Sequence, residues 1–147
     1  VADSQPFSAL VVDDNADAAD SLAAVLAANG FRAAAVYAPL DALRRVAEEP
    51  FDAVLLDLNM PGMDGAALAA TIVALPAPRR PFLIAVTASS DPADRARCQA
   101  AGVDLYLVKP VDPVAVAVAL GRIQRFLIAA SPPTAYDDGP AYPLPRL

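Results

Sequence analysis

The sequence predicts an α/β domain whose five-stranded parallel sheet is covered by helices on both faces, a doubly wound arrangement. Three observations predict it. Five short apolar runs alternate with five segments of helical periodicity. Each connection is long enough for the crossover helix that parallel strands require. Four of the five runs stop at a polar side chain capable of chemistry. At 147 residues the chain has the size of one ordinary domain.

Residues 7–12 are a nearly continuous apolar run that gives way to Asp13 and Asp14, as a strand buried on both faces does when it enters a loop. Residues 16–29 then place Ala19, Leu22, Val25, Leu26 and Asn29 at three- and four-residue spacings before Gly30, an amphipathic helix with a glycine stop. A weaker strand covers 31–37. Pro39 opens a helix carrying Leu40, Leu43 and Val46, which has to end before Pro50. Residues 51–56 form a third strand ending at Asp57, and a Met-Pro-Gly-Met-Asp-Gly turn leads into a helix with Leu68, Ile72 and Leu75. After a proline-bounded loop at 76–81, the fourth strand (82–86) ends at Thr87, and a short polar helix at 92–101 stops at Gly102. The fifth strand (103–108) ends at Lys109-Pro110, and Pro113 opens a last helix in which Val114, Val118, Ile123 and Leu127 are expected to cover the sheet. The domain is thus expected over 7–128, behind an extension at 1–6. Residues 129–147, rich in proline and carrying Tyr136 and Tyr142, read as a tail or linker.

Composition excludes several classes of function. Seventeen acidic residues against eleven scattered basic ones, a formal charge of -6, argue against a sequence-independent hold on nucleic acid. The chain has no histidine, which removes Ser-His and Cys-His catalysis and every histidine-containing metal site. Cys98 is the only cysteine, so it forms neither an internal disulfide nor a thiolate cluster; it reads as a small half-buried helix residue. No apolar run approaches the roughly 18 residues of a spanning helix and no signal segment opens the chain, so a cytoplasmic protein without direct membrane contact is expected. Val12-Asp13-Asp14-Asn15 lacks the glycines a dinucleotide pyrophosphate needs, and no Walker A loop is present.

Ligands of an open parallel sheet bind beyond the carboxyl ends of the strands, which puts Asp13, Asp14, Asp57, Thr87 and Lys109 on one edge. Lys109 is the only lysine beside ten arginines. Carboxylates that converge repel one another unless they hold a cation, and donors that are all oxygen select a hard ion, for which Mg²⁺ fits best. The matching substrate is a phosphoryl group, with Lys109 as point charge and Thr87 as hydroxyl donor to its oxygens. An aspartate remains as nucleophile, forming an acyl phosphate. With no histidine to activate water, its loss is expected to be slow, as in a switch.

Val11-Val12-Asp13-Asp14-Asn15, Leu55-Leu56-Asp57 with Met60-Pro61-Gly62-Met63-Asp64-Gly65, Thr87-Ala88, and Tyr106 ahead of Lys109-Pro110 resemble, in order and spacing, the receiver domain of two-component response regulators. Receivers of hybrid sensor kinases and stand-alone receivers are the most similar. The resemblance implies a (βα)5 flavodoxin-like sandwich with Asp57 as phosphoacceptor. It implies Mg²⁺ held by Asp14, Asp57 and the Asn59 backbone carbonyl, with Asp13 helping through water, and Thr87 and Lys109 on the phosphoryl oxygens. It further implies a relay in which Thr87 moves toward the phosphoryl group and Tyr106 swings into space left by Ala88. That motion would remodel the surface of the fourth helix, fifth strand and fifth helix for an unspecified output partner. A cis bond before Pro110 is expected. The phosphoryl donor would be a sensor histidine kinase or a histidine phosphotransfer domain, docking near Asn15 and Ala19. Such a chain promotes its own phosphorylation and slow dephosphorylation without being a turnover enzyme. The alternatives are a phosphorylation-independent interaction module and a Mg²⁺-dependent aspartyl phosphatase; the latter would want an acid two residues beyond Asp57, where Asn59 stands.

Overall fold

A computed structural model of the protein describes residues 6–76 and 80–130. The elements are β1 (Ser8–Val12), α1 (Ala16–Ala28), β2 (Arg32–Val36), α2 (Pro39–Glu48), β3 (Ala53–Leu56), α3 (Gly65–Ala74), β4 (Phe82–Thr87), α4 (Pro92–Ala101), β5 (Leu105–Val108) and α5 (Pro113–Ala130). All five strands are parallel, in the order β2-β1-β3-β4-β5. Val12 of β1 stands in register with Val36 of β2 on one side and Leu56 of β3 on the other. The direction in which successive strands are added therefore reverses at β1, the place where such sheets open a crevice.

The pleat sorts the apolar runs into two cores. Leu10, Val12, Val54, Leu56, Leu83 and Ala85 face α2, α3 and α4, where Ala42, Leu68, Ile72 and Cys98 meet them. Ala9, Val11, Ala53, Leu55, Ile84 and Val86 face α1 and α5. Every residue of β1 and β3 is buried, which is why these strands read as unbroken apolar runs. β2 is an edge strand built largely of half-buried alanines, which accounts for its weak sequence signal. Asn15, Asp64 and Asp91 cap α1, α3 and α4 with their side chains, and Gly102, at φ 102, closes α4 in the left-handed region that favours glycine.

Several strands begin later than the apolar runs. Phe7 precedes β1 and packs edge-on against Phe31, with ring centres 6.3 Å apart. Ahead of β3 and β5, the carboxylates of Asp52 and Asp104 accept from the amides of Ser8 and Leu83, each at 2.8 Å, and tie the sheet's lower edge through side chains. The buried face of α5 also differs from the expectation. Val116, Ala117 and Leu120 are buried and Ile123 and Leu127 partly so, whereas Val114 and Val118 are 54% and 52% exposed. The five-residue step from Val118 to Ile123 turns a helical stripe by about 140°, so the two pairs cannot share a face. Leu40 is likewise exposed, and α2 buries Pro39 and Ala42 instead. α5 continues to Ala130, two residues past the expected boundary. The expectations for the tail, Tyr136 and Tyr142 included, for most of the N-terminal extension and for positions 77–79 lie outside the described residues. Among those described, no helix is long and apolar enough to cross a membrane.

Candidate functional site

Four of the five singled-out polar residues stand one or two steps beyond a strand, and the sheet's hydrogen bonding follows three of them out. The amide of Asp13 donates to Val36 (3.2 Å), that of Asp57 to Val12 (3.0 Å) and that of Lys109 to Thr87 (2.7 Å). Thr87 is itself the last residue of β4. Buried apolar strands thus fix where these side chains start, and the reversal at β1 brings Asp13 and Asp57 side by side. Asp14 follows Asp13 on the loop and is exposed.

One oxygen from each of Asp13, Asp14 and Asp57 lies within 4.8 Å of the others. Asp13 and Asp57 are buried, at 7% and 8% exposure, and Thr87 is fully buried. Lys109 bridges the pair: its ammonium donates to Asp13 at 2.9 Å and stands 3.8 Å from Asp57. The other Asp13 oxygen accepts from the Asn15 amide at 3.0 Å, while Asn15 caps α1. Burial raises the Asp57 pKa, assisted by the Asp13 charge and opposed by Lys109 and by the amides of Asn59 and Leu58. For Lys109, burial works against the charge, but the hydrogen bond to Asp13 and the charges of Asp57, Asp13 and Asp14 outweigh it and hold the pKa above the usual lysine value. The Lys109-Pro110 bond is cis. A cavity of about 620 Å³ opens over Asp13, Asp57 and Lys109, with Ala18, Leu22, Ala88 and Val111 among its walls.

The donor set consists of oxygens alone and is crowded by like charges, as a site for a hard divalent cation has to be. Asn59 is exposed and meets Asp57 only through its amide, a long contact of 3.4 Å. Ala88 is exposed at the cavity wall. Tyr106 is half-buried against the core: its hydroxyl donates to the Ser89 carbonyl at 2.8 Å, and the Arg95 guanidinium lies 4.6 Å from its ring centre.

The α4 network around that tyrosine was not foreseen. The Ser89 hydroxyl meets Asp94 at 2.5 Å, and Arg97 binds both Asp94 and Asp64, each at 2.9 Å. The Asp94–Arg97 spacing of three residues was a visible helical pair. The link to Asp64, 33 residues away, had no local signal.

Comparison with known proteins gives the family. The family described as "Response regulator receiver domain" matches residues 9–120, and the chain belongs to it. It is 38% identical over 101 residues to the transcriptional regulatory protein PrrA of Mycobacterium tuberculosis, covering 69% of this chain and 42% of the relative. To the transcriptional regulatory protein ZraR of Salmonella typhimurium it is 42% identical over 103 residues, covering 70% and 23%. The chain therefore spans less than half the length of these curated relatives. Among solved structures, it is similar to a CheY-like response regulator receiver domain from Methylobacillus flagellatus (TM-score 0.73, 32% identity, 81% of this chain and 99% of that one). It is also similar to the signal receiver domain of a signal transduction histidine kinase from Syntrophus aciditrophicus (TM-score 0.75, 28% identity, 85% and 95%).

Proposed function

We propose that the domain takes a phosphoryl group onto Asp57 from a phosphohistidine of a sensor histidine kinase or histidine phosphotransfer domain. The observation that carries this reading is the convergence of Asp13, Asp14 and Asp57 with Lys109 and Thr87 at the one edge where the strand order reverses. An Asp57 oxygen attacks phosphorus, the P–N bond breaks, and the electron pair leaves on the imidazole. Asp57 is the nucleophile because it ends a strand buried between two others, while Asp13 and Asp14 lie on a loop suited to enclosing an ion.

Asp14, Asp57 and the Asn59 carbonyl would hold Mg²⁺, with Asp13 beside them; bound there, the ion neutralises charge on the transferring oxygens. Lys109 stands close enough to Asp57 to turn from Asp13 toward a phosphoryl oxygen. Thr87 offers a buried hydroxyl on the neighbouring strand. Of the expected docking positions Ala19 is fully buried, so the surface beside the nucleophile on which a donor protein can rest is formed by Asn15 with Ala18 and Val111. Thr87, Ala88 and Tyr106 form the proposed relay to the surface of α4, β5 and α5, and the Tyr106–Ser89 hydrogen bond is the contact whose making or breaking would report it.

The test is labelling with a small acyl phosphate donor and Mg²⁺. One phosphoryl group should be added, in a linkage labile to hydroxylamine, and borohydride trapping with mass spectrometry should place it on Asp57. Asp57→Asn should not label, whereas Asp13→Asn and Asp14→Asn should label slowly and still at Asp57. Label on Asp13 or Asp14, or an Asp57→Asn chain that labels as fast as the parent, rejects the assignment. A parent chain that binds Mg²⁺ but takes no label would favour the phosphorylation-independent interaction module.

A further inference from the structure

Gly65, the first residue of α3, has no part in the chemistry above. Unlike Gly30, Gly62 and Gly102 it has no positive φ, so conformational freedom is not the reason for a glycine there. Space is the reason. A Cβ built on Gly65 would collide with the carbonyl oxygen of Asp57, and would stand 2.8 Å from the Cα of Leu58 and 2.9 Å from the carbonyl carbon of Asp57. All three are backbone atoms, so no change of rotamer relieves the overlap. The Gly65 amide also donates to the Leu58 carbonyl at 2.9 Å. The loop of residues 58–64 is therefore closed at its base, directly on the candidate phosphoacceptor and its neighbour.

Neither flank of this contact yields easily. The amide of Asp57 is bonded to Val12, β3 lies between β1 and β4, and α3 is anchored by Leu68, Ala69 and Ile72 in the core. Leu58 and Met60 are buried in the core on either side of it, so the position left to yield is the exposed Asn59, which makes only a long amide contact to Asp57. We infer that Gly65 is a positioning residue of the cation site: its missing side chain lets α3 close on the Asp57 backbone, and that closure sets the Asn59 carbonyl against the Asp57 carboxylate. The inference rests on the proposed reading of the pocket as a Mg²⁺ site.

The experiment is a Mg²⁺ titration by calorimetry, with amide NMR shifts of residues 13, 57 and 59 as a second readout, on the parent, Asp14→Asn, Gly65→Ala and Gly30→Ala chains. Gly30→Ala is the control: its φ of +95 strains an alanine, but no atom within 4 Å would touch the new methyl, so it costs stability far from the pocket. Gly65→Ala should bind Mg²⁺ roughly tenfold or more weakly, while Gly30→Ala stays within about twofold of the parent. A folded Gly65→Ala chain with parent-like affinity overturns the inference and leaves the pocket reading intact. A parent that binds no Mg²⁺ fails the pocket reading itself. Should Gly65→Ala be unfolded in buffer, the titration is repeated in an osmolyte that favours compact states. A chain still unfolded there assigns the glycine to folding and overturns the positioning role.

Discussion

The charge on Asp57 is held under protest, because burial opposes it more than Lys109 relieves it. The raised pKa has a definite sign for stability. Between the ordinary aspartate pKa of about 3.9 and the raised folded value, the native chain binds more protons than the unfolded one, so stability falls as pH rises through that window. Asp57→Asn removes the loss. Without divalent cations it should melt above the parent at pH 7, with the gap closing in melts below about pH 4; equal melting at pH 7 contradicts the argument. Lys109 is the opposite case. Lys109→Met strips the ammonium from Asp13 and should cost about 1–3 kcal/mol in metal-free denaturant unfolding, and calorimetry should show tighter Mg²⁺ binding. Looser Mg²⁺ binding would mean that the lysine builds the cation site instead of competing with it. The five polar residues were legible because each ends or follows an apolar run. Their partners were less so: the Lys109–Asp13 contact spans 96 positions, and nothing near either residue announces which carboxylate the ammonium chooses.

At the scale of elements, legibility followed burial. β1, β3 and β4 declared themselves because both faces are covered, and α4 was bounded by Pro92 and Gly102. α5 was placed correctly along the chain but rotated wrongly, since valine and alanine are spread around its first half and the solvent side is marked only further on, by Arg122 and Arg125 on the face of Val118. The structure makes the difference measurable. Leu120→Ala, at a fully buried position, should cost about 2–4 kcal/mol in denaturant unfolding. Val118→Ala, half exposed, should stay within about 0.5 kcal/mol. Comparable losses at the two positions would show that α5 sits on the sheet by another face. The α4 network of Ser89, Asp94, Arg95 and Arg97 escaped the sequence for a related reason, since three of its contacts are made across elements or loops whose relative placement only the folded chain defines.

For the whole molecule, a cation that binds only the folded pocket stabilises everything connected to it. At ten times its dissociation constant, Mg²⁺ should add about 1.4 kcal/mol to unfolding of the parent and almost nothing to Asp14→Asn; melts of the parent that superimpose with and without Mg²⁺ would refute a folded-state site. The Lys109 bridge also sets the pocket's electroneutrality. Three carboxylates and one ammonium leave two negative charges in excess, which a dication cancels. Converting Asp57 to the proposed acyl phosphate would then add only one more, so the phosphorylated, Mg²⁺-loaded pocket would be nearer neutrality than the bare one. Background electrolyte should therefore act unequally on the forms, stabilising the bare chain as it screens the surplus and leaving the Mg²⁺-loaded chain almost indifferent to ionic strength.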